Sequence, residues 1–237
     1  MTCTVATQQT ITHFSKYAGG LKGPCLEVGS LIDSSYVQFK PKDIHGANVP
    51  QPFVGIDIFP GEGVDYVLNL CKDEDLEKLP FKSFNTIHCH YIMEHVTDIF
   101  SMARNIDRIL APGGVLLLSV PFAWRIHRIP VDMWRFTPQS LDYLFPNVEF
   151  IDEKCALSLR RGDKTYRLNE FPEFRLGDDL DKYPPYIKWY VKALNRLKMH
   201  NNIFNQRALL YETNIMMYGI KRDKPSYTYI DSKYVTN

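Results

Sequence analysis

The run VLLLSVPF at 115–122 constrains this chain most. An almost uninterrupted apolar segment of strand length has no face fit for water, so both its faces must be covered, as in the centre of a parallel sheet flanked by helices. Shorter runs of the same kind stand at CLEVGS (25–30), at FVGIDIF (53–59), which is rich in β-branched residues, and at NTIHCHYIM (85–93). Between the last of these and the central run, Val96, Ile99, Ala103, Ile106 and Leu110 recur at spacings of three and four, the stripe of an amphipathic helix lying on a sheet. Pro112-Gly113-Gly114 stops that helix. The alternation predicts an open α/β fold, a doubly wound, mostly parallel sheet whose ligands sit at the carboxyl ends of the strands.

The rest of the chain fits around that core. VDYVLNL (64–70) leads into an acidic stretch ending at Pro80, QSLDYLF is helical in pattern, and VEFIDEKCAL (148–157) and ALLYETNIMMYGIKR (208–222) read as strands able to pair antiparallel in a terminal hairpin. The organisation predicted is a helix or lid over 1–22, a core formed by 23–157 with 208–222, an inserted helical cap over 158–207, and a polar, tyrosine-rich tail over 223–237. The insertion carries eleven Lys and Arg against six Asp and Glu. After Pro184-Pro185 it places Ile187, Tyr190, Val191, Leu194 and Leu197 in a stripe, which calls for burial against the chain's own sheet or against a second copy in a homodimer.

Composition narrows the partners. With 28 Lys and Arg against 27 Asp and Glu, the net charge of +1 gives no broad basic surface for nucleic acid. No segment reaches the roughly 18 to 20 apolar residues of a membrane span, and MTCTVATQQTITHF lacks a basic stretch followed by an apolar one, so a cytoplasmic protein is expected. The five cysteines are odd in number, scattered and without a CxxC pair, which predicts reduced thiols.

Three groups of residues carry chemistry. The turn Glu27-Val28-Gly29-Ser30 follows one strand and Asp57 ends the next, an arrangement in which a backbone comes close to a ligand and a carboxylate accepts ribose hydroxyls. His88 and His90 share one face of a strand and precede Glu94-His95; strand alternation accounts for the first pair and a helix N-terminus for the second, so no metal is expected. His127 to Thr137, HRIPVDMWRFT, concentrates His, Asp, Trp and Arg just past the central strand, on the side where such sheets bind ligands.

In order along residues 24–145, LEVGS, VGIDIFPG, LNL before LPF, SFNTIHCHYIMEHV, RILAPGGVLLLSVPF and HRIPVDMWRFT resemble the class I S-adenosylmethionine-dependent methyltransferases, in the branch with a Glu-His pair after the fourth strand and H-x-x-P-x-D-x-W-R-F-T after the fifth. The resemblance implies S-adenosylmethionine as cofactor, with Glu27 and Gly29, and Ser30 beside them, under its methionine end, and Asp57 with Ile58 at its ribose. It places Asn69, where the family usually has aspartate, at the adenine amine, Leu70 against the adenine, and His90 with Tyr91 near the sulfonium. His127 and Asp132 are then the catalytic candidates, and Trp134 and Arg135 the substrate contacts. The first turn departs from the family pattern, with Leu31 and Asp33 at glycine positions, which predicts either side chains crowding the methionine tail or a wider turn. By analogy the acceptor is a hydroxyl of a sugar or related metabolite, in carbohydrate biosynthesis. The alternatives are a non-catalytic binding module of the same fold and a methyltransferase of RNA or protein recruited by the basic insertion.

Overall fold

The computed structural model describes residues 4–32, 41–127, 131–159, 165–168, 184–196 and 213–223. Its strands are β1 (Cys25–Val28), β2 (Phe53–Asp57), β3 (Tyr66–Val67), β4 (Phe84–His90), β5 (Leu110–Ala123), β6 (Val148–Phe150), β7 (Ala156–Leu159), β8 (Thr165–Tyr166) and β9 (Thr213–Lys221). Its helices are α1 (Thr4–Phe14), α2 (Pro41–His45), α3 (Ile99–Ile109), α4 (Pro138–Leu144) and α5 (Pro185–Arg196). All the strands join one sheet in the order β3-β2-β1-β4-β5-β9-β7-β8, with β6 also on β9. β1 to β5 run parallel, and β9 enters antiparallel against β5. This is the doubly wound, mostly parallel sheet that the apolar runs require, closed by an antiparallel edge.

The central run behaves as its composition dictates: Leu116, Leu117, Leu118 and Val120 of β5 are completely buried. Leu116 and Leu118 face α3, whose Ile106 is fully buried between helix and sheet. Cutting Ile106 to alanine there would cost about 2–5 kcal/mol. Leu117 faces the other side, where Phe14 of α1 and Ile44 of α2 cover it with Met216 of β9. α1 is also fastened to β7 and its neighbours, through Gln9 to the Leu159 carbonyl at 2.8 Å and His13 to the Lys154 carbonyl at 2.8 Å.

Three expectations are corrected. Pro112-Gly113-Gly114 does not stop the helix: α3 ends at Ile109, and the three residues already run within β5. The stretch 148–157 is not one strand: β6 and β7 both pair with β9, and a 3-10 turn at Asp152–Lys154 bulges between them. The bulge stays on the sheet because the Ile151 amide donates to the Tyr218 carbonyl at 3.0 Å and the Tyr218 amide donates to Cys155 Sγ at 3.4 Å. The helix after β4 does not begin at Glu94. Asp98 caps it by accepting from the Ser101 amide at 3.0 Å, so Glu94 and His95 sit upstream in a separate 3-10 turn, Met93–His95.

Cys25, Cys71, Cys89 and Cys155 are free thiols, and Cys3 lies outside the described residues. Among the described residues no helix is long and apolar enough to cross a membrane. Of the predicted insertion, the end of β7 at Ser158 and Leu159 and β8 and α5 with their immediate neighbours are described; α5 starts at Pro185 as the Pro184-Pro185 signal requires, and Tyr186 and Trp189 on it are 70% and 73% exposed. Ile187 is half-buried, whereas Leu197 and the side chains of Val191 and Leu194 lie outside the described residues.

Candidate active site

A cavity of about 540 Å³ opens at the carboxyl ends of β1, β2, β4 and β5. That size suits a cofactor-sized ligand. At one end it is walled by Gly29, Leu31, Asp57, Ile58, Asn69 and Leu70, and at the other by Glu94, His95, Trp124 and His127, with Tyr91 and Ile92 between.

The first end is built by strand termini. The Gly29 and Ser30 amides both donate to the Ile56 carbonyl, at 2.9 and 3.0 Å, so β1 ends in a turn held on β2. Gly29 takes φ +78, and a Cβ there would lie 2.1 Å from Ile92 Cδ1; the position admits only glycine. The chain then crosses toward the loop after β2, where the Ile32 amide donates to the Glu62 carbonyl at 2.8 Å and Leu31 reaches the cavity wall. Asp33, the other predicted departure, lies outside the described residues. Asp57 Oδ2 accepts from the Leu31 amide at 3.3 Å and Oδ1 from the Phe59 amide at 3.0 Å. Each oxygen keeps a further lone pair for a ligand hydroxyl. Asn69 is fixed by its amide to Asp75 Oδ2 at 2.7 Å and by its Oδ1 accepting from Cys71 at 2.9 Å.

The second end is assembled by the segment after β5 folding back on the turn after β4. The Met133 amide donates to the Glu94 carbonyl at 2.8 Å, Trp134 Nε1 donates to the Val96 carbonyl at 2.6 Å, and His95 Nδ1 hydrogen-bonds the Val131 carbonyl. These bonds bring His127 edge-on to His95, ring centroids 5.0 Å apart. Asp132 stands behind His127, accepting its amide at 2.8 Å with Oδ2 3.3 Å from Nδ1, and is clamped by both terminal nitrogens of Arg135.

Electrostatics separate these groups. The Arg135 guanidinium holds the Asp132 carboxyl well below the usual carboxylate range. Burial pushes Glu94 up to about 8, and its Oε2 is buried with no hydrogen-bond partner. Burial also lowers His95 and His127, favouring neutral imidazoles. Both use Nδ1–H toward acceptors, a carbonyl for His95 and a carbonyl with a carboxylate for His127, which leaves the Nε2 lone pairs.

The structure brings Gly29, Asp57, Ile58, Asn69, Leu70, Tyr91 and His127 to one cavity. It does not bring the other candidates to its wall. Glu27 is half-buried within β1, and Ser30 is buried just past Gly29 with its Oγ unpartnered. His90 ends β4 just short of the cavity, against Phe14 and bonded to Ser119 Oγ at 2.9 Å, and Tyr91 is the first residue of that segment on the cavity wall. Trp134 packs on the core and Arg135 is consumed by Asp132, so neither faces a substrate in this cavity. Glu94 and His95 were given a helix N-terminal role by their position; their signal was an acid and an imidazole directly past a core strand.

The methyltransferase domain family matches residues 14–158, more than half of the chain. The chain belongs to the methyltransferase domain family. This methyltransferase has the same fold as several solved proteins. They include the StiE O-MT (TM-score 0.51, 12% identity, covering 94% of this chain and 77% of that one) and a SAM-dependent methyltransferase from Archaeoglobus fulgidus (TM-score 0.50, 13% identity, 91% and 94%). A putative methyltransferase from Bacillus halodurans is similar to the same degree (TM-score 0.50, 16% identity, 90% and 98%). Comparison with the curated proteins gives no match.

Proposed function

We propose that this methyltransferase transfers a methyl group from S-adenosylmethionine to a hydroxyl of a small polar acceptor, a sugar or a related metabolite. The observation that carries the reading is one cavity with two unlike ends: Asp57 and Asn69 suited to a nucleoside, and Glu94, His95 and His127 suited to proton chemistry. The cofactor fits the first end by its donor set: carboxylate oxygens with spare lone pairs for ribose hydroxyls, an amide for the adenine edge, and Leu31, Ile58 and Leu70 as apolar walls. When bound, S-adenosylmethionine supplies a methyl group already attached to a good leaving group.

What remains for the chain is alignment and removal of the acceptor's proton. In the metal-free protein, His127 takes that proton at Nε2, the nitrogen left open by the contacts of Nδ1. Asp132 is a positioning residue, since it reaches the cavity only through His127. The branch-specific stretch HRIPVDMWRFT and the cavity's location support a small acceptor over a polymer, as does the net charge of +1. Incubating the protein with methyl-labelled S-adenosylmethionine and separate pools of free sugars, nucleotide sugars, total RNA and peptides tests this. Label entering a sugar pool is expected; label confined to RNA or peptides would overturn the acceptor.

A further inference from the structure

The geometry points to a binding site for one divalent transition-metal cation, formed by Glu94, His95 and His127 at the acceptor end of the cavity. One ligand atom from each of the three lies within 4.8 Å of the others, and His95 Nε2 is 3.8 Å from Glu94 Oε1. A tetrahedral ion bonded at about 2.1 Å holds its ligand atoms about 3.4 Å apart, so side-chain shifts on the order of 1 Å close the set.

Two further observations point to a ligand. Glu94 has a side chain only 2% exposed, lines the cavity, and leaves Oε2 without any partner, an orphan that a cation would satisfy. Both histidines are held from behind at Nδ1, His95 by the Val131 carbonyl and His127 by Asp132 and the Arg125 carbonyl. That is the outer-shell arrangement of metal-ligating imidazoles, which fixes the ring and directs Nε2 to the ion. The nearby positive charge of Arg135 is already neutralised by Asp132. Two imidazoles and one carboxylate select zinc, manganese, iron or cobalt over magnesium or calcium, which prefer oxygen donors throughout.

The site itself stands on these contacts; its role rests on the methyltransferase reading. Open coordination positions face the cavity and take the acceptor's oxygen. With the cation bound, Nε2 of His127 is a ligand and the acceptor's proton leaves to water. The oxygen then bonds to the methyl carbon as the carbon–sulfur bond breaks, its electron pair staying on sulfur.

The test is titration of the chelator-treated, desalted full chain with cobalt(II) chloride, followed by visible absorption. Saturation at one equivalent per chain is expected. Glu94→Gln and His127→Ala should each weaken binding at least tenfold, while His45→Ala, at the end of α2 and outside the cavity lining, leaves it unchanged. Thermal melts check folding; if Glu94→Gln does not fold, His127→Ala, on the segment after β5, carries the comparison. No saturable binding at millimolar cobalt, or unchanged binding in His127→Ala, overturns the site. A parallel titration with S-adenosylhomocysteine separates the two claims: that ligand binding without cobalt removes only the metal site, and cobalt binding without it removes only the methyltransferase role.

Discussion

Two clusters of histidines stand one within the sheet beside β4 and one past the carboxyl ends of β4 and β5, and their surroundings give them opposite fates. On the α1 side, His45 Nε2 meets His88 Nε2 at 3.2 Å, His88 Nδ1 meets His90 Nε2 at 3.3 Å, and His90 Nδ1 meets Ser119 Oγ at 2.9 Å. Neutral rings with protons running from His45 toward Ser119 satisfy every link, leaving only the His45 Nδ1 lone pair without a partner. Burial drives His88 well below the ordinary histidine range and His90 to about 3, so the row stays uncharged. At the cavity, His95 and His127 spend one nitrogen each on the scaffold and face a carboxylate with an unpartnered oxygen. Identical side chains are packing elements when their hydrogen bonds close on one another. They are chemical groups when the scaffold fixes one nitrogen and leaves the other at a cavity.

The largest effect expected from breaking this contrast is at His127. His127→Ala should lower turnover roughly 10²- to 10⁴-fold with S-adenosylhomocysteine affinity nearly unchanged; steady-state rates beside calorimetry measure both. An effect under threefold on turnover would move His127 into the structural class.

The sealed row should instead show itself in acid stability. Between pH 6.5 and about 3 an unfolded chain protonates the imidazole of His90 that the folded chain keeps neutral, so this contribution is complete above pH 6.5 and is lost as pH falls. By pH 4.5 the loss is roughly 2–3 kcal/mol. Denaturant melts across that window should flatten in His90→Asn, and an unchanged slope would mean that His90 is not buried neutral. The smallest effect is expected at His45→Ala, at the outer end of the row: turnover within twofold of the wild type and stability lower by about 1–2 kcal/mol. A large loss of turnover would join the two clusters into one functional unit.

The sheet was legible because covered strands must be apolar on both faces, and β5 could hardly be anything else. The broken strand at 148–157 was not, because a bulge is decided by partners on β9, such as the Tyr218 amide on Cys155, that local pattern does not contain. At the site, Gly29 and Asp57 were legible as strand-terminal residues and Asn69 through the family resemblance. His90 shared parity with His88, but parity does not show that its ring closes on Phe14 and Ser119 one residue before the cavity begins. Asp132, Trp134 and Arg135 read as exposed loop chemistry, whereas the backbone bonds from Met133 and Trp134 to Glu94 turn that loop inward. Glu94 and His95 share one turn while His127 comes from the segment after β5, and only that folding back shows the three together.

The central claim is that Asp57 and its neighbours hold a nucleoside cofactor in the cavity. Calorimetric titration of the wild type and Asp57→Ala with S-adenosylhomocysteine tests it most directly. A carboxylate that accepts ribose hydroxyls gains about 1.5–3 kcal/mol per hydrogen bond, so the account predicts saturable one-to-one binding that weakens at least tenfold in the variant while its melting profile persists. Wild-type protein that fails to bind at millimolar ligand, or an Asp57→Ala variant that binds equally well, would contradict it.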